Sequence, residues 1–160
     1  MAALTFRPGT VEDVQLILEF IRHLAEYERL AHEVTATEEG LRLTLFGERK
    51  VAEVVFASLD GKEAGFALFF HNYSTFLAKP GLYLEDLFVL PEYRGLGVGK
   101  GLLRYLAGIA LERDCGRFEW WVLDWNEPSI DFYRRQGAVA MDEWTVFRIS
   151  GDALNQLAAN

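Results

Sequence analysis

Residues 82–106 read LYLEDLFVLPEYRGLGVGKGLLRYL, and the fold turns on them. Leu82 to Leu90 are apolar except for Glu85 and Asp86, the composition of a strand covered on both faces. Pro91 closes the run. Glycines then stand at 95, 97, 99 and 101, and Leu102, Leu103, Leu106, Ile109 and Ala110 follow at helical spacing. A strand, a glycine turn and a helix in this order make a cradle for an anion. Glycine lets the backbone approach closely, and the first free amides of the helix point at the bound charge. A plain turn would also accept glycines. Alternate glycines at a helix entry are poor helix formers, however, so anion binding is the better account. The stretch is not the phosphate loop GxxxxGK(S/T), and its glycines do not fall in GxGxxG order.

Outward from this stretch, the pattern is that of one α/β domain over residues 1–160. Residues 3–7 read as a strand. Thr10 and Asp13 form a capping box ahead of a helix over 11–30, with Val14, Ile17, Leu18, Ile21, Leu24 and Ala25 on one face. A second helix over 36–46 has Thr35 and Glu38 at its start and Gly47 at its end. Apolar runs over 50–58 and 63–71 flank Asp60-Gly61, a hairpin turn. The helix after the glycine turn is expected to close at Gly116. Residues 117–124 read as a strand, Asn126 and Pro128 open a short helix, Gly137 stops it, and 144–150 read as a final strand. The order βααβββαβαβ predicts a mixed sheet flanked by helices.

Composition narrows the function. Sixteen basic residues against twenty-four acidic ones give a net charge of −8, which disfavours a nucleic-acid partner. No apolar run approaches the roughly 20 residues of a membrane span. The N-terminus shows no secretory pattern, and the single cysteine, Cys115, cannot form an internal disulfide. These features point to a cytoplasmic protein. His23, His32 and His71 make no metal-spaced set, so no metal is expected.

Three segments together resemble the GNAT superfamily of N-acetyltransferases. Arg94-x-x-Gly97-x-Gly99 looks like its acetyl-CoA pyrophosphate loop. Asn126-Glu127-Pro128-Ser129, followed by Phe132-Tyr133 and Gly137, resembles its second cofactor segment. Tyr83-Leu84-Glu85-Asp86 and Trp125-Asn126-Glu127-Pro128-Ser129-Ile130, with Arg7-Pro8 and Leu24-Ala25-x-Tyr27-Glu28, are similar to the branch that acetylates spermidine, spermine or thialysine. The resemblance implies a splayed central sheet with acetyl-CoA in the gap. Leu87, Phe88 and Val89 would meet the cofactor through the main chain. Arg94, Gly95, Leu96, Gly97, Val98, Gly99 and Lys100 would hold the pyrophosphate. Asn126, Glu127, Pro128 and Ser129 would lie along the cofactor, and Arg135, after Arg134, would reach phosphate or face solvent. The family also implies a homodimer.

The chemistry can be read beside that resemblance. An alkylammonium costs about 4 kcal/mol to neutralise near pH 7. Glu85 and Asp86 sit inside an apolar strand, where an unpaired charge is costly. Strict alternation would send them to opposite faces, and a bulge would change that. The resemblance makes Glu85 a water-mediated base or amine anchor; Asp86 divides evenly between structure and function. It also makes Tyr133 the general acid, since a phenol with a pKa near 10 is protonated at neutral pH. Tyr27, Glu28, Glu119, Trp120 and Trp121 match the branch's acceptor side, joined by Asp142 or its neighbour Glu143. Carboxylates and rings together suit a small cationic amine. A peptide acceptor, or a CoA-binding sensor without turnover, are the alternatives.

Overall fold

The Asp60-Gly61 turn organises the start of the sheet. Both residues take positive φ, 50° and 79°, as a tight hairpin turn of type I′ requires. They join β2 (Glu53–Leu59) to β3 (Lys62–Ser74). The computed structural model describes residues 2–159. Within it the chain divides into two compact units, one running to Trp125 and the other starting at Asn126.

The first unit carries a sheet in the order β1-β2-β3-β4-β5, with β1 at Leu4–Pro8, β4 at Lys79–Val89 and β5 at Arg117–Trp120. The pairs β1/β2, β2/β3 and β3/β4 are antiparallel, and β4/β5 is parallel. The sheet is mixed, as the sequence predicts. Parallel neighbours need a crossover, and helix α3 (Val98–Glu112) supplies it.

Helix α1 (Val14–Tyr27) forms because its apolar residues recur at helical spacing and its start is held. The Asp13 carboxylate accepts the Thr10 N–H at 2.8 Å and pairs with both terminal nitrogens of Arg7 at 2.8 and 2.9 Å. A single 3-10 turn, Val11–Asp13, leads into it. Ile17, Phe20 and Leu24 then bury with Leu45, Val54, Phe56, Phe66 and Phe88 in one cluster. The Phe20 ring lies 5.1 Å from that of Phe66 and 5.9 Å from that of Phe56.

Several boundaries and one element differ from the expectation, beginning with α1, which spans Val14–Tyr27 rather than 11–30. Helix α2 (Glu38–Phe46) is capped by Thr37, whose hydroxyl accepts the Gly40 N–H at 3.1 Å, and not by Thr35. Helix α3 ends at Glu112, because Asp114 takes the left-handed conformation (φ 53°) that Gly116 was expected to supply. Gly116 instead gives its N–H to the Pro80 carbonyl at 2.8 Å. β5 stops at Trp120, short of the expected 124. In the second unit, α4 (Glu127–Arg135) is capped by Asn126 and ends before Gly137 (φ 92°), as read. The final strand expected at 144–150 is absent. Residues 138–150 belong to no strand, and a further helix, α5 (Gly151–Ala159), follows. A strand is a pairing, and no described strand pairs with this segment.

Phe56 is fully buried at the centre of the α1 cluster. Phe56→Ala should cost about 3–5 kcal/mol by urea denaturation. A loss under 1 kcal/mol would show that the cluster does not hold α1 on the sheet.

Candidate active site

The site begins where β4 loses a neighbour. β5 pairs with β4 only over Gly81–Leu84, opposite Arg117–Trp120. β4 continues to Val89, held by β3 alone through the pairs from Asp86/Leu68 to Val89/Gly65. From Glu85 onward β4 has no strand partner on its other edge among the described residues, and there Arg94 Nε engages the Val89 carbonyl. This is the splay the sequence resemblance implies, and it falls on Leu87, Phe88 and Val89.

The glycine turn continues from the same strand. Gly95 and Gly97 take φ of 77° and 85°, a region closed to most side-chain-bearing residues, and Gly97 is the N-cap of α3. The first N–H bond of the helix runs from Gly101 to the Gly97 carbonyl at 2.9 Å. The amides of Leu96, Val98, Gly99 and Lys100 therefore precede the ladder, with the positive end of a long helix dipole behind them. No acidic side chain stands in that first turn to compete with an anion. Gly101 serves packing instead. A Cβ there would lie 2.6 Å from Leu4 Cδ2 and 2.8 Å from Phe6 Cζ.

A bulge resolves the two strand carboxylates. Leu68 pairs with Asp86 and Phe69 with Leu84, which leaves Glu85 as the extra residue of β4. Alternation breaks there. Glu85, Asp86 and Glu28, at the end of α1, lie close enough to repel one another. Asp86 is pushed up to about 7, first by burial and then by Glu85 and Glu28. Burial raises Glu28 as well, and Glu85 adds to the rise. None of the three is in a salt bridge among the described residues.

Aromatic rings wall this cluster. Phe88 meets Tyr27 at 6.4 Å between ring centres and stacks with His23 at 6.3 Å. Tyr27 in turn packs on Trp125 at 6.2 Å. Arg94, expected at the pyrophosphate, lies with its guanidinium over Tyr27 at 4.9 Å and Phe88 at 5.3 Å, and its Nε donates to the Val89 carbonyl at 3.0 Å. Trp125 as a wall and Arg94 as a bridge escaped sequence reasoning, since both depend on packing across elements.

The remaining acceptor-side residues are spread. Glu119 pairs with Arg117 at 2.8 Å and accepts from Asn72 at 3.0 Å, so its carboxylate is already engaged. Trp120 packs on Phe118 at 4.9 Å, and Trp121 meets Tyr83 edge-on at 5.8 Å. In the second unit, the Asn126 side chain accepts the Ser129 N–H at 3.4 Å, and Glu127 and Pro128 form the first turn of α4. Tyr133 packs against Phe132 at 5.5 Å, Arg135 is exposed in the last turn, and Asp142 and Glu143 are exposed in the strandless segment. Among the described residues, no group of His, Cys, Asp and Glu side chains is placed to hold a metal ion.

The Asp86 carboxyl has a checkable signature. Its native pKa stands above its unfolded value of 3.8, so its contribution to stability is complete below pH 4 and is lost as pH rises through 7. Asp86→Asn should therefore raise the melting temperature at pH 8, by an equivalent of up to roughly 4 kcal/mol, and leave it unchanged at pH 4. Equal effects at both pH values would contradict the buried-carboxyl account.

Comparison with known proteins identifies the family. The acetyltransferase (GNAT) family profile matches residues 17–138. A thialysine N-epsilon-acetyltransferase of Sus scrofa is 38% identical over 169 residues, covering 99% of both chains. The L-ornithine N5-acetyltransferase NATA1 of Arabidopsis thaliana is 35% identical, covering 94% of this chain and 86% of that one. Among solved structures, an integron cassette protein from the mobile metagenome of V. cholerae superposes with a TM-score of 0.81 at 28% identity, covering 98% of each chain. The open edge of β4, the glycine turn that follows it and these full-length likenesses lead to one conclusion: the chain belongs to the GNAT acetyltransferase family, in its diamine-acetylating branch, and is an enzyme of acetyl transfer to an amine.

Proposed function

We propose that this enzyme moves the acetyl group of acetyl-CoA to the primary amine of a small cationic acceptor, a polyamine, a diamine or a thialysine-like amino acid. The observation that carries the reading is the meeting of Glu28, Glu85 and Asp86 beside the open edge of β4, none of them in a salt bridge among the described residues. An ammonium entering there removes their mutual repulsion. The names of the thialysine and ornithine acetyltransferase relatives support an acceptor of this size.

The chain's own groups fit acetyl-CoA. Its pyrophosphate suits the amides of the glycine turn, and its pantetheine amides suit the backbone of β4 along the edge that β5 leaves unpaired. When bound it supplies an activated thioester. On the acceptor side, Glu28 and Asp86 hold positive charge, and Glu85 takes the proton of the reacting ammonium through water. A β4 amide at Val89 faces the carbonyl oxygen. The Tyr133 phenol donates a proton to the departing thiolate. Asn126 and Ser129 line the cofactor, and Glu127, Pro128 and Arg135 complete that segment. In this reading residues 1–160 act as one acetyltransferase domain, and no metal takes part.

The working form in this proposal is a homodimer. Trp144 and Phe147 are 76% and 93% exposed, and Val139, Met141, Val146 and Ile149 join them in the same strandless stretch. So much exposed apolar surface in one segment supports an association site in this reading. Among the described residues no helix is long and apolar enough to cross a membrane, and the free Cys115 thiol accords with a reducing, cytoplasmic setting.

The direct test is free-thiol release from acetyl-CoA with spermidine, putrescine, thialysine, an aminoglycoside and a histone-like peptide. Release should depend on a small amine. Preference for the peptide would sink the small-amine reading. Tyr133→Phe should lower kcat by roughly 10²–10⁴-fold while acetyl-CoA affinity holds within twofold by calorimetry. Unchanged kcat would remove Tyr133 as the acid.

A further inference from the structure

We propose that Arg94 is a positioning residue: its side chain straps the donor edge of the site to the acceptor wall and does not hold the pyrophosphate. This rests on the acetyl-transfer reading above and assigns one further residue a part in the same reaction.

The first observation is where the two halves of Arg94 go. Its main chain leads into the glycine turn, with Gly95 next at φ 77°. That backbone is ordinary, φ −70° and ψ 149°, and the Arg94 N–H bonds to the Pro91 carbonyl at 3.2 Å. The side chain leaves the turn. Its Nε donates to the Val89 carbonyl at 3.0 Å. Its guanidinium lies 4.9 Å from the centre of the Tyr27 ring and 5.3 Å from that of Phe88. The amides of Leu96, Val98, Gly99 and Lys100 furnish the anion site without it.

The second is which backbone group the strap takes. Val89 lies opposite Gly65, and the Leu90 N–H reaches the Ala64 carbonyl at 2.8 Å. In an antiparallel pair this makes Val89 a non-hydrogen-bonded position toward β3, so its own N–H and C=O turn to the other edge. That is the edge β5 leaves unpaired. Arg94 thus fills the Val89 carbonyl and leaves on the same edge the Val89 N–H, the group assigned above to the acetyl carbonyl oxygen. Fixing one group of the residue steadies the other. A misplacement of about 1 Å at a reacting centre can cost roughly 100-fold in rate.

The third is what the rings connect. Tyr27 is the last residue of α1, and Glu28 follows it. Phe88 belongs to the buried cluster under that helix. The donor turn, the end of β4 and the end of α1 therefore meet on one side chain. Lysine could not take its place. An ammonium is a point charge, with neither an N–H at the Nε position nor a plane to lie against two rings.

The test separates a strap from a phosphate ligand. Arg94→Gln should lower kcat for a small amine roughly ten- to hundredfold, while acetyl-CoA affinity by calorimetry stays within twofold. Arg94→Lys should fall as far, because charge alone does not restore the strap. Tyr27→Leu should cost less in the Arg94→Gln background than in wild type, since the two side chains act as a unit. Both Arg94 variants should melt with the wild type, as the residue is exposed on unstrained backbone. Weakened acetyl-CoA binding in Arg94→Gln that Arg94→Lys restores would make Arg94 a phosphate ligand and overturn the inference. An unchanged kcat in Arg94→Gln, or strictly additive losses with Tyr27→Leu, would overturn it equally. In each of these cases acetyl transfer stands. If the wild type releases no thiol with any small amine, the broader reading falls and takes this one with it.

Discussion

After Leu84 strand β4 has a paired strand on one side only among the described residues, and the chemistry of this protein is arranged around that opening. Backbone polar groups in a protein interior require partners. Along β4 the partners come from β3 for the whole length, but from β5 only as far as the Leu84/Trp120 pair. The bulge at Glu85 falls at the same point, and a bulge adds local twist. One strand thus carries the open edge, the two carboxylates at the start of it, and, beyond Pro91, the glycine turn that leads into α3. Phe88 anchors the arrangement from beneath. Its ring joins the buried cluster of Phe20, Phe56 and Phe66 and also touches Tyr27, so the packing that holds α1 on the sheet also brings Glu28 to the site.

The electrostatics divide along the same line. Asp13, Glu53, Asp114 and Glu119 are matched by Arg7, Arg113, Lys79 and Arg117, and these pairs tie elements of the first unit together. Glu28, Glu85 and Asp86 are in no salt bridge among the described residues and are gathered instead. Burying a carboxylate and setting others beside it is unfavourable, which is why Asp86 is pushed up to about 7. The same placement makes an entering cation the natural counter-charge. The net charge of −8, which on its own says little more than solubility, thus has a local expression at the site.

What the sequence discloses is what is local. Asp60-Gly61 dictates its turn, and Gly95 and Gly97 dictate theirs, because positive φ is a property of single residues. The α1 stripe is legible because helical periodicity is carried by one segment. The misreadings have a common origin in partners that lie elsewhere. Thr35 and Thr37 are both plausible caps, and only the helix start at Glu38 chooses between them. Residues 144–150 have strand composition, yet no neighbouring strand pairs with them. Glu85 and Asp86 are visible as odd charges in an apolar run, but the bulge that brings them together arises from register with β3. Trp125 beside Tyr27 and Arg94 over Phe88 are contacts between distant segments, beyond the reach of spacing. Tyr133, Asn126 and Ser129 were read from motif likeness, and the second unit shows the helix that carries them with its expected cap.

The central claim is that the open edge of β4 and the turn after it form one continuous surface for the acetyl donor. Amide hydrogen exchange with and without acetyl-CoA tests it most directly. The account predicts slowed exchange in peptides spanning 85–89 and 95–101, with β1 and β2 unchanged. Saturable acetyl-CoA binding with no protection in either stretch would contradict it.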